Sequence, residues 1–346
     1  MQTGSGHTES QRVLDESRPV LAESRIVCLI VYVNDLAESR AFYELQLGLR
    51  VIEEDPDSAK YDVGQAILCL RRARDHSITL SRQWNDSSDV VFLVDNMEAV
   101  HAALERRGVV VARHRTYEVG KVVDFYDPNG HRLMLYEPSQ RSLMSPGADK
   151  VRAVWRASGR GGTELIGPAA VPATVDARDL EERGLDGKPL IYFFVFHKDP
   201  GQADDFYARK LGLQVLQRTN CCNHCPGDVK GLVKYDGGGM LFSTHHLHGH
   251  ATVLDDHGQP YGTREFDPED AKGVAPVFHV TDIEYVVKEL SRRGVRFSND
   301  IVRSRTGSTV RFDAPSGHLL YLYEPSPEAL TQPTGTKLEQ ILAAQV

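Results

Sequence analysis

Two spacings of apolar residues dominate this chain. Ile26–Val33 and Leu190–His197 are nearly unbroken apolar runs of strand length, the pattern of a strand covered on both faces. After each run, apolar positions recur at helical spacing up to a Leu-Gly-Leu, at 47–49 and 211–213. Further on, the same spacing predicts helices over Met97–Arg107 and Ile283–Arg293, with Asn96 and Asp282 as N-caps and Gly108 and Gly294 as stops. The segments KYDVG (60–64) and KYDGG (234–238) each turn a hairpin, and LMLYEP (133–138) and LYLYEP (320–325) read as closing strands. Residues 140–188 carry Gly and Pro with little periodicity and read as a connector, whereas 337–344 shows a short helical pattern.

These elements occur twice. Residues 30–53 match 194–217 at an offset of 164, with Asp35, Phe42, Tyr43, Leu47, Gly48 and Leu49 recurring. The hairpins match at 174, ERRGVVV (105–111) faces SRRGVRF (291–297) at 186, and DPNGHRLMLYEPS (127–139) faces APSGHLLYLYEPS (314–326) at 187. Four blocks in one order mark an internal duplication. The predicted class is α+β, with two tandem βαβββ-type modules of mainly antiparallel strands. Module 1 is placed at 25–139 and module 2 at 189–326, with a flexible tail at 1–24, a linker at 140–188 and a C-terminal tail at 327–346.

Composition narrows the function classes. The chain has 346 residues, 41% apolar and 25% charged, with a net charge of −8. That is ordinary globular composition, and its acidic balance gives no global attraction to nucleic acid or anionic lipid. The longest apolar run, Ile26–Val33, has eight residues, against about 20 for a membrane-spanning helix. The polar start of the chain lacks the apolar centre of a secretory signal. Five cysteines, three of them at 221, 222 and 225, suggest a reducing compartment rather than a disulfide framework. A cytoplasmic protein with a small-molecule ligand is expected, without nucleic-acid or membrane partners; homo-oligomerisation is left open.

The motifs V-x-D-L-x-x-S-x-x-F-Y before L-G-L, and D-P-x-G-H with L-x-E-P at the module end, resemble those of the vicinal-oxygen-chelate superfamily. That superfamily includes glyoxalases, bleomycin-binding proteins and extradiol dioxygenases. The resemblance covers about four-fifths of the chain and implies curved sheets forming a cup around a small molecule. It also implies three metal-ligand positions per module, which hold two imidazoles and a carboxylate in the iron-using members. Here those positions carry Tyr192, Ala275 and Tyr321 in module 2, and Cys28, Asp89 and Met134 in module 1. Neither set supplies the triad.

Other residues offer chemistry. Period-2 alternation puts Tyr192, Phe194 and Phe196 on one strand face, and Tyr321 and Tyr323 share another. They read either as an aromatic-walled pocket or as plain core. The two insertions of module 2 carry Cys221, Cys222, Cys225 and His224, then His245, His246, His248 and His250. A hairpin turning near Gly237–Gly239, with paired positions summing to about 475, brings the insertions to one end. Cys222, Cys225, His246 and His248 are the candidate ligands of a Zn²⁺ ion, with Fe²⁺ or Cu⁺ as alternatives. A metal-free redox thiol pair and a solvated loop fit the same residues. His131, His318, Glu137, Glu324, Asp35 and Asp199 are expected to serve structure.

The resulting expectation is a glyoxalase-like or extradiol-dioxygenase-like protein. It would act on a small aromatic or polyketide-like molecule in the module 2 cup without the usual His/His/Glu iron site. Tyr192, His279 and Tyr321 are the catalytic candidates, and Phe194, Phe196 and Tyr323 the pocket walls. A non-catalytic binding or resistance protein, and an iron-dependent ring-cleaving dioxygenase with displaced ligands, are the alternatives.

Overall fold

The computed structural model describes residues 19–80, 85–145, 148–156, 184–219, 231–246 and 270–344. Within them the chain forms four βαβββ units, two in each repeat. The first unit contains β1 (Ile26–Val33), β2 (Arg50–Asp55), β3 (Ser58–Asp62) and β4 (Ile67–Arg72). The second contains β5 (Asn85–Leu93), β6 (Val111–Tyr117), β7 (Gly120–Tyr126) and β8 (His131–Pro138). The third contains β9 (Leu190–His197), β10 (Val215–Thr219), β11 (Leu232–Asp236) and β12 (Leu241–His246). The fourth contains β13 (Val274–His279), β14 (Val302–Ser304), β15 (Gly307–Asp313) and β16 (Leu319–Pro325).

Local chemistry starts each helix where the sequence places it. Asp35 and Asp199 accept hydrogen bonds from the first-turn amides of the helices Leu36–Arg40 and Pro200–Asp204. Asn96 and Asp282 do the same for Met97–Arg106 and Ile283–Arg292. Glu137 and Glu324, at the ends of β8 and β16, accept from the amides of Met97 at 2.6 Å and Ile283 at 3.1 Å. Carboxylates thus meet the positive ends of both of these ten-residue helices. Gly108 (φ 84°) and Gly294 (φ 79°) take the left-handed conformation that ends them. In both repeats the first helix runs on as a π-helical turn, Ala41–Gln46 and Asp205–Lys210. Its recurrence makes it a property of the repeat.

The strands assemble into two eight-stranded sheets, and each sheet draws on both repeats. The first has the order β14-β15-β16-β13-β1-β4-β3-β2, the second β10-β11-β12-β9-β5-β8-β7-β6. Their centres are the antiparallel pairs β1–β13 and β5–β9, and each unit closes with its first and last strands parallel. This explains the unbroken apolar runs: β1 and β9 are central strands, buried on both faces. One face of each sheet packs into a shared core that includes Leu29, Val31 and Phe278 of the first sheet and Phe92, Phe193 and Phe242 of the second. Helix residues such as Tyr43, Leu104, Tyr207 and Leu290 complete it, and Leu21, upstream of β1, is fully buried there.

His131 and His318 tie the sheets together. The His131 Nε2 lies 2.7 Å from the Tyr32 carbonyl, and His318 Nε2 lies 2.9 Å from that of Ser87. A carbonyl only accepts, so Nε2 carries the proton in both rings. The opposite, concave faces form two cups. Among the described residues no helix is long and apolar enough to cross a membrane.

Candidate functional site

The two cups have different fates. On the concave face of the second sheet lie Tyr192 and Phe194, with ring centroids 5.2 Å apart, and Tyr136, 6.1 Å from Tyr192. Leu143, Val151, Val154 and Trp155, from the helices Gln140–Leu143 and Asp149–Trp155, pack directly onto this face. Part of the expected connector therefore packs into this cup. Asp89 is ion-paired with Arg132, both side chains under one-tenth exposed, and the Arg132 guanidinium stands 5.4 Å from the Phe196 ring. Lys234 Nζ lies 5.7 Å from the Tyr192 ring centroid. These groups satisfy one another.

The cup of the first sheet keeps a cavity of about 160 Å³. Its floor comes from alternating residues of β1, β4, β13 and β16, with Cys28, Ile30, Cys69, Arg71, Val277, Tyr321 and Tyr323 on the wall. A bulge in β1 between Ile26 and Cys28 lets Val27 reach the cavity as well. The roof is the helix Pro333–Ala343, whose Leu338 and Ile341 pack on Val27 and Ile67.

Three polar groupings stand at or beside this cavity. The hydroxyls of Tyr32 and Tyr321 are hydrogen-bonded at 2.7 Å, and burial pushes the Tyr32 phenol well above its ordinary range. It is a neutral donor, not a base. At the roof, Lys60 donates to Glu53 at 2.6 Å, and the Thr334 hydroxyl donates to the same carboxylate at 2.6 Å. Between them, Cys28 and Cys69 both line the wall, and the Cys69 thiol donates to the Leu70 carbonyl at 3.8 Å. Parallel pairing sets Cys28 opposite Ile67 and Ile30 opposite Cys69, so the two cysteines are diagonal neighbours. Interaction with Cys28, with the charges of Arg71 and Lys60, holds the Cys69 thiol below its ordinary value. The same interaction, and burial, raise Cys28.

The sheet exchange regroups the sequence candidates. Tyr192, Phe194 and Phe196 belong to the second cup; His279, Tyr321 and Tyr323 belong to the first, where His279 pairs with Tyr323 in the β13–β16 ladder. Burial lowers the His279 pKa and pushes Tyr323 up to about 12. The two sets of family ligand positions regroup too. Cys28, Ala275 and Tyr321 lie on the first sheet, Tyr192, Asp89 and Met134 on the second.

The β11–β12 hairpin pairs Leu232 with His245 and Val233 with Thr244, sums of 477 where about 475 was expected. His245 packs on Phe196 on the cup side (centroids 5.2 Å), while His246 turns to the other face, 6.3 Å from the His197 ring. His246 Nε2 lies 2.9 Å from the Lys198 carbonyl. Cys222, Cys225 and His248 lie outside the described residues. Among the described residues no group of three His, Cys, Asp or Glu side chains is placed to hold a metal.

Cys69, Arg71, Lys60 and Tyr32 were missed. One signal was present: Cys69 and Arg71 are two apart in the strand ILCLRR (67–72), so they share a face. A polar pair on one face of an otherwise apolar strand points to a wall rather than a core.

Curved sheets built from paired βαβββ units, each pair enclosing a cup, define a class of small-molecule-handling proteins. Residues 25–135 and 190–322 match the model of the Glyoxalase/Bleomycin resistance protein/Dioxygenase superfamily, and the chain belongs to that superfamily. Glyoxalase I from Zea mays is similar in fold, with a TM-score of 0.54 and 12% identity over 92% of this chain and 95% of that one. A putative dioxygenase from Bacillus subtilis matches over 91% of this chain and 90% of its own, at 14% identity and a TM-score of 0.49. A glyoxalase/bleomycin resistance protein/dioxygenase from Nocardioides covers 33% of this chain and 82% of its own at 21% identity, with a TM-score of 0.29. No curated protein matches the chain. The protein is glyoxalase-like or dioxygenase-like in fold.

Proposed function

We propose that this protein binds and transforms a small aromatic or polyketide-like molecule in the cup of the first sheet, without a His/His/Glu iron site. The observation that carries the reading is the cavity of about 160 Å³ whose mixed wall brings two cysteines, Arg71, Lys60 and Tyr321 together with apolar side chains. Apolar cavities of about 150 Å³ accommodate a benzene ring. Arg71 and Lys60 suit a phenolate, enolate or carboxylate oxygen on that ring, while Tyr321 orients a second oxygen as a neutral donor. A purely apolar lining would have favoured sequestration alone. The packing of Leu143, Val151, Val154 and Trp155 around Tyr192 and Phe194 supports a packing role for those two rings.

The donor sets support the lack of that iron site. A thiol, a methyl and a phenol at Cys28, Ala275 and Tyr321 do not make an imidazole–carboxylate triad. The lone carboxylate of the other set, Asp89, is committed to Arg132.

The test is a melting series with phenols and aromatic carboxylates. A ligand at about 100 times its Kd should stabilise the fold by about 2.7 kcal/mol. Thr309→Trp, which fills the cavity from a half-exposed wall position, should abolish that stabilisation. If no probe stabilises the protein, or if the variant responds like the parent, the site assignment is wrong.

A further inference from the structure

We propose that Cys28 and Cys69 form a nucleophilic thiol pair that captures conjugated enones and quinones in the first cup as covalent thioethers. Cys69 is the attacking sulfur and Cys28 its proton partner. The inference rests on the cup being a ligand site, and it adds a reaction to that site.

Four observations carry it. Cys28 and Cys69 both line the wall of one cavity, as diagonal neighbours on the parallel strands β1 and β4. Arg71, two residues on along the same strand face, and Lys60 line the same wall, and their charges act on the Cys69 thiol. Ile30, Ile67, Val277, Tyr321 and Tyr323 on the same wall offer apolar and phenolic contact to a planar electrophile. Finally, Cys28 and Cys69 are free thiols, not a disulfide.

The step balances without an external oxidant. The Cys69 thiolate forms a C–S bond to the β-carbon, and the C=C π bond breaks. The electron pair moves onto the carbonyl oxygen, where Arg71 and Lys60 oppose the charge. Collapse of the enolate takes the Cys28 proton onto the α-carbon, leaving a thioether at Cys69 and a thiolate at Cys28. The net charge of the site is unchanged.

The experiment labels the full-length protein with N-ethylmaleimide at about pH 6 and maps adducts by peptide mass, so that Cys221, Cys222 and Cys225 are scored separately. Glutathione is the reference. A depressed thiol pKa gains more in thiolate fraction than it loses in intrinsic nucleophilicity, leaving an advantage of about tenfold at this pH. Cys69 should therefore label about tenfold faster than glutathione, and a saturating phenol that stabilises the fold should slow it. Arg71→Met should cost most of that advantage at about pH 6 and little at about pH 9. Should the variant fail to fold, the pH profile of the parent replaces it: a rate that flattens below about pH 8 supports the proposal, and a log-linear rise parallel to glutathione overturns it. Protection of Cys28 and Cys69 until urea is added also overturns it. Phenol binding that persists without labelling removes this inference alone; loss of both removes the site.

Discussion

Two histidines show how burial of single residues sets the pH range of the fold. His197 is 3% exposed and His318 1% exposed. Burial lowers His197 to about 3, with His246 and His318 adding to the shift, and lowers His318 to about 4. Both rings are thus neutral in the fold, while in the unfolded chain they titrate near 6.5. Their contribution is complete above about pH 6.5 and is lost as the pH falls, because only the unfolded state takes up protons there. Between about pH 6.5 and 5, above most carboxylates, each ring should cost on the order of 1.4 kcal/mol per pH unit. Urea unfolding across that window should show this slope, and His318→Gln should remove about half of it. A flat profile would mean the rings are protonated in the fold. The sequence placed His318 in a structural role from its position after the late glycine. The carbonyl it reaches, Ser87, belongs to the other repeat, and no local pattern names that partner. Cys69 and Arg71 went unread for the same reason. Their relation to Cys28 exists only because β4 runs parallel to β1, and the strand sequences specify faces but not neighbours.

At the level of elements, the roof helix decides whether the first cup is enclosed. The apolar spacing at 337–344 announced a helix, and the observed one spans Pro333–Ala343, starting earlier because proline is well suited to a first helical turn. It is held by Lys337 on Asp62 at 2.7 Å and by Arg25, which donates to the Ile341 carbonyl at 2.8 Å. The second contact places a cation at the negative end of the helix. Gly335 is where the helix crosses Pro327–Leu330: a Cβ there would lie 2.1 Å from the Ala329 oxygen and 2.5 Å from the Leu330 Cα. Backbone cannot give way as a side chain does, so Gly335→Ala should lift the helix, cost about 1–3 kcal/mol and weaken ligand binding in the melting assay. Gly294→Ala is the contrast. Nothing lies within 4 Å of its Cβ, but its φ is +79°, so it should cost about 1 kcal/mol through backbone strain and leave ligand binding unchanged. Equal loss of binding in both variants would show that the roof does not shape the site. The β11–β12 hairpin was legible in the same partial way. Its register is two positions from the expected sum, an even slip that keeps every side chain on its intended face.

For the whole molecule, the exchange of half-sheets between repeats matters most. The duplication was readable from four matched blocks, and the units they encode are present. What the blocks do not encode is which unit completes which sheet: the first joins the fourth and the second joins the third. A repeat on its own would therefore leave bare the edges of β1 and β5, or of β9 and β13. All four are apolar strands that pair centrally in the whole chain, and exposed apolar edges seek other chains. The shared core has the same dependence, since Leu29 and Phe278, or Phe92 and Phe193, come from different repeats. Unfolding of the full chain should accordingly be one cooperative transition seen alike by far-UV dichroism and by tyrosine fluorescence. Residues 1–156 and 184–346 expressed apart should aggregate or pair with a second copy of themselves. Expressed together, they should purify as a 1:1 complex that melts cooperatively. A soluble, monomeric 1–156 fragment with a sharp transition of its own would show that β1 and β5 tolerate open edges. The repeats would then be independent domains that pair only after each has folded.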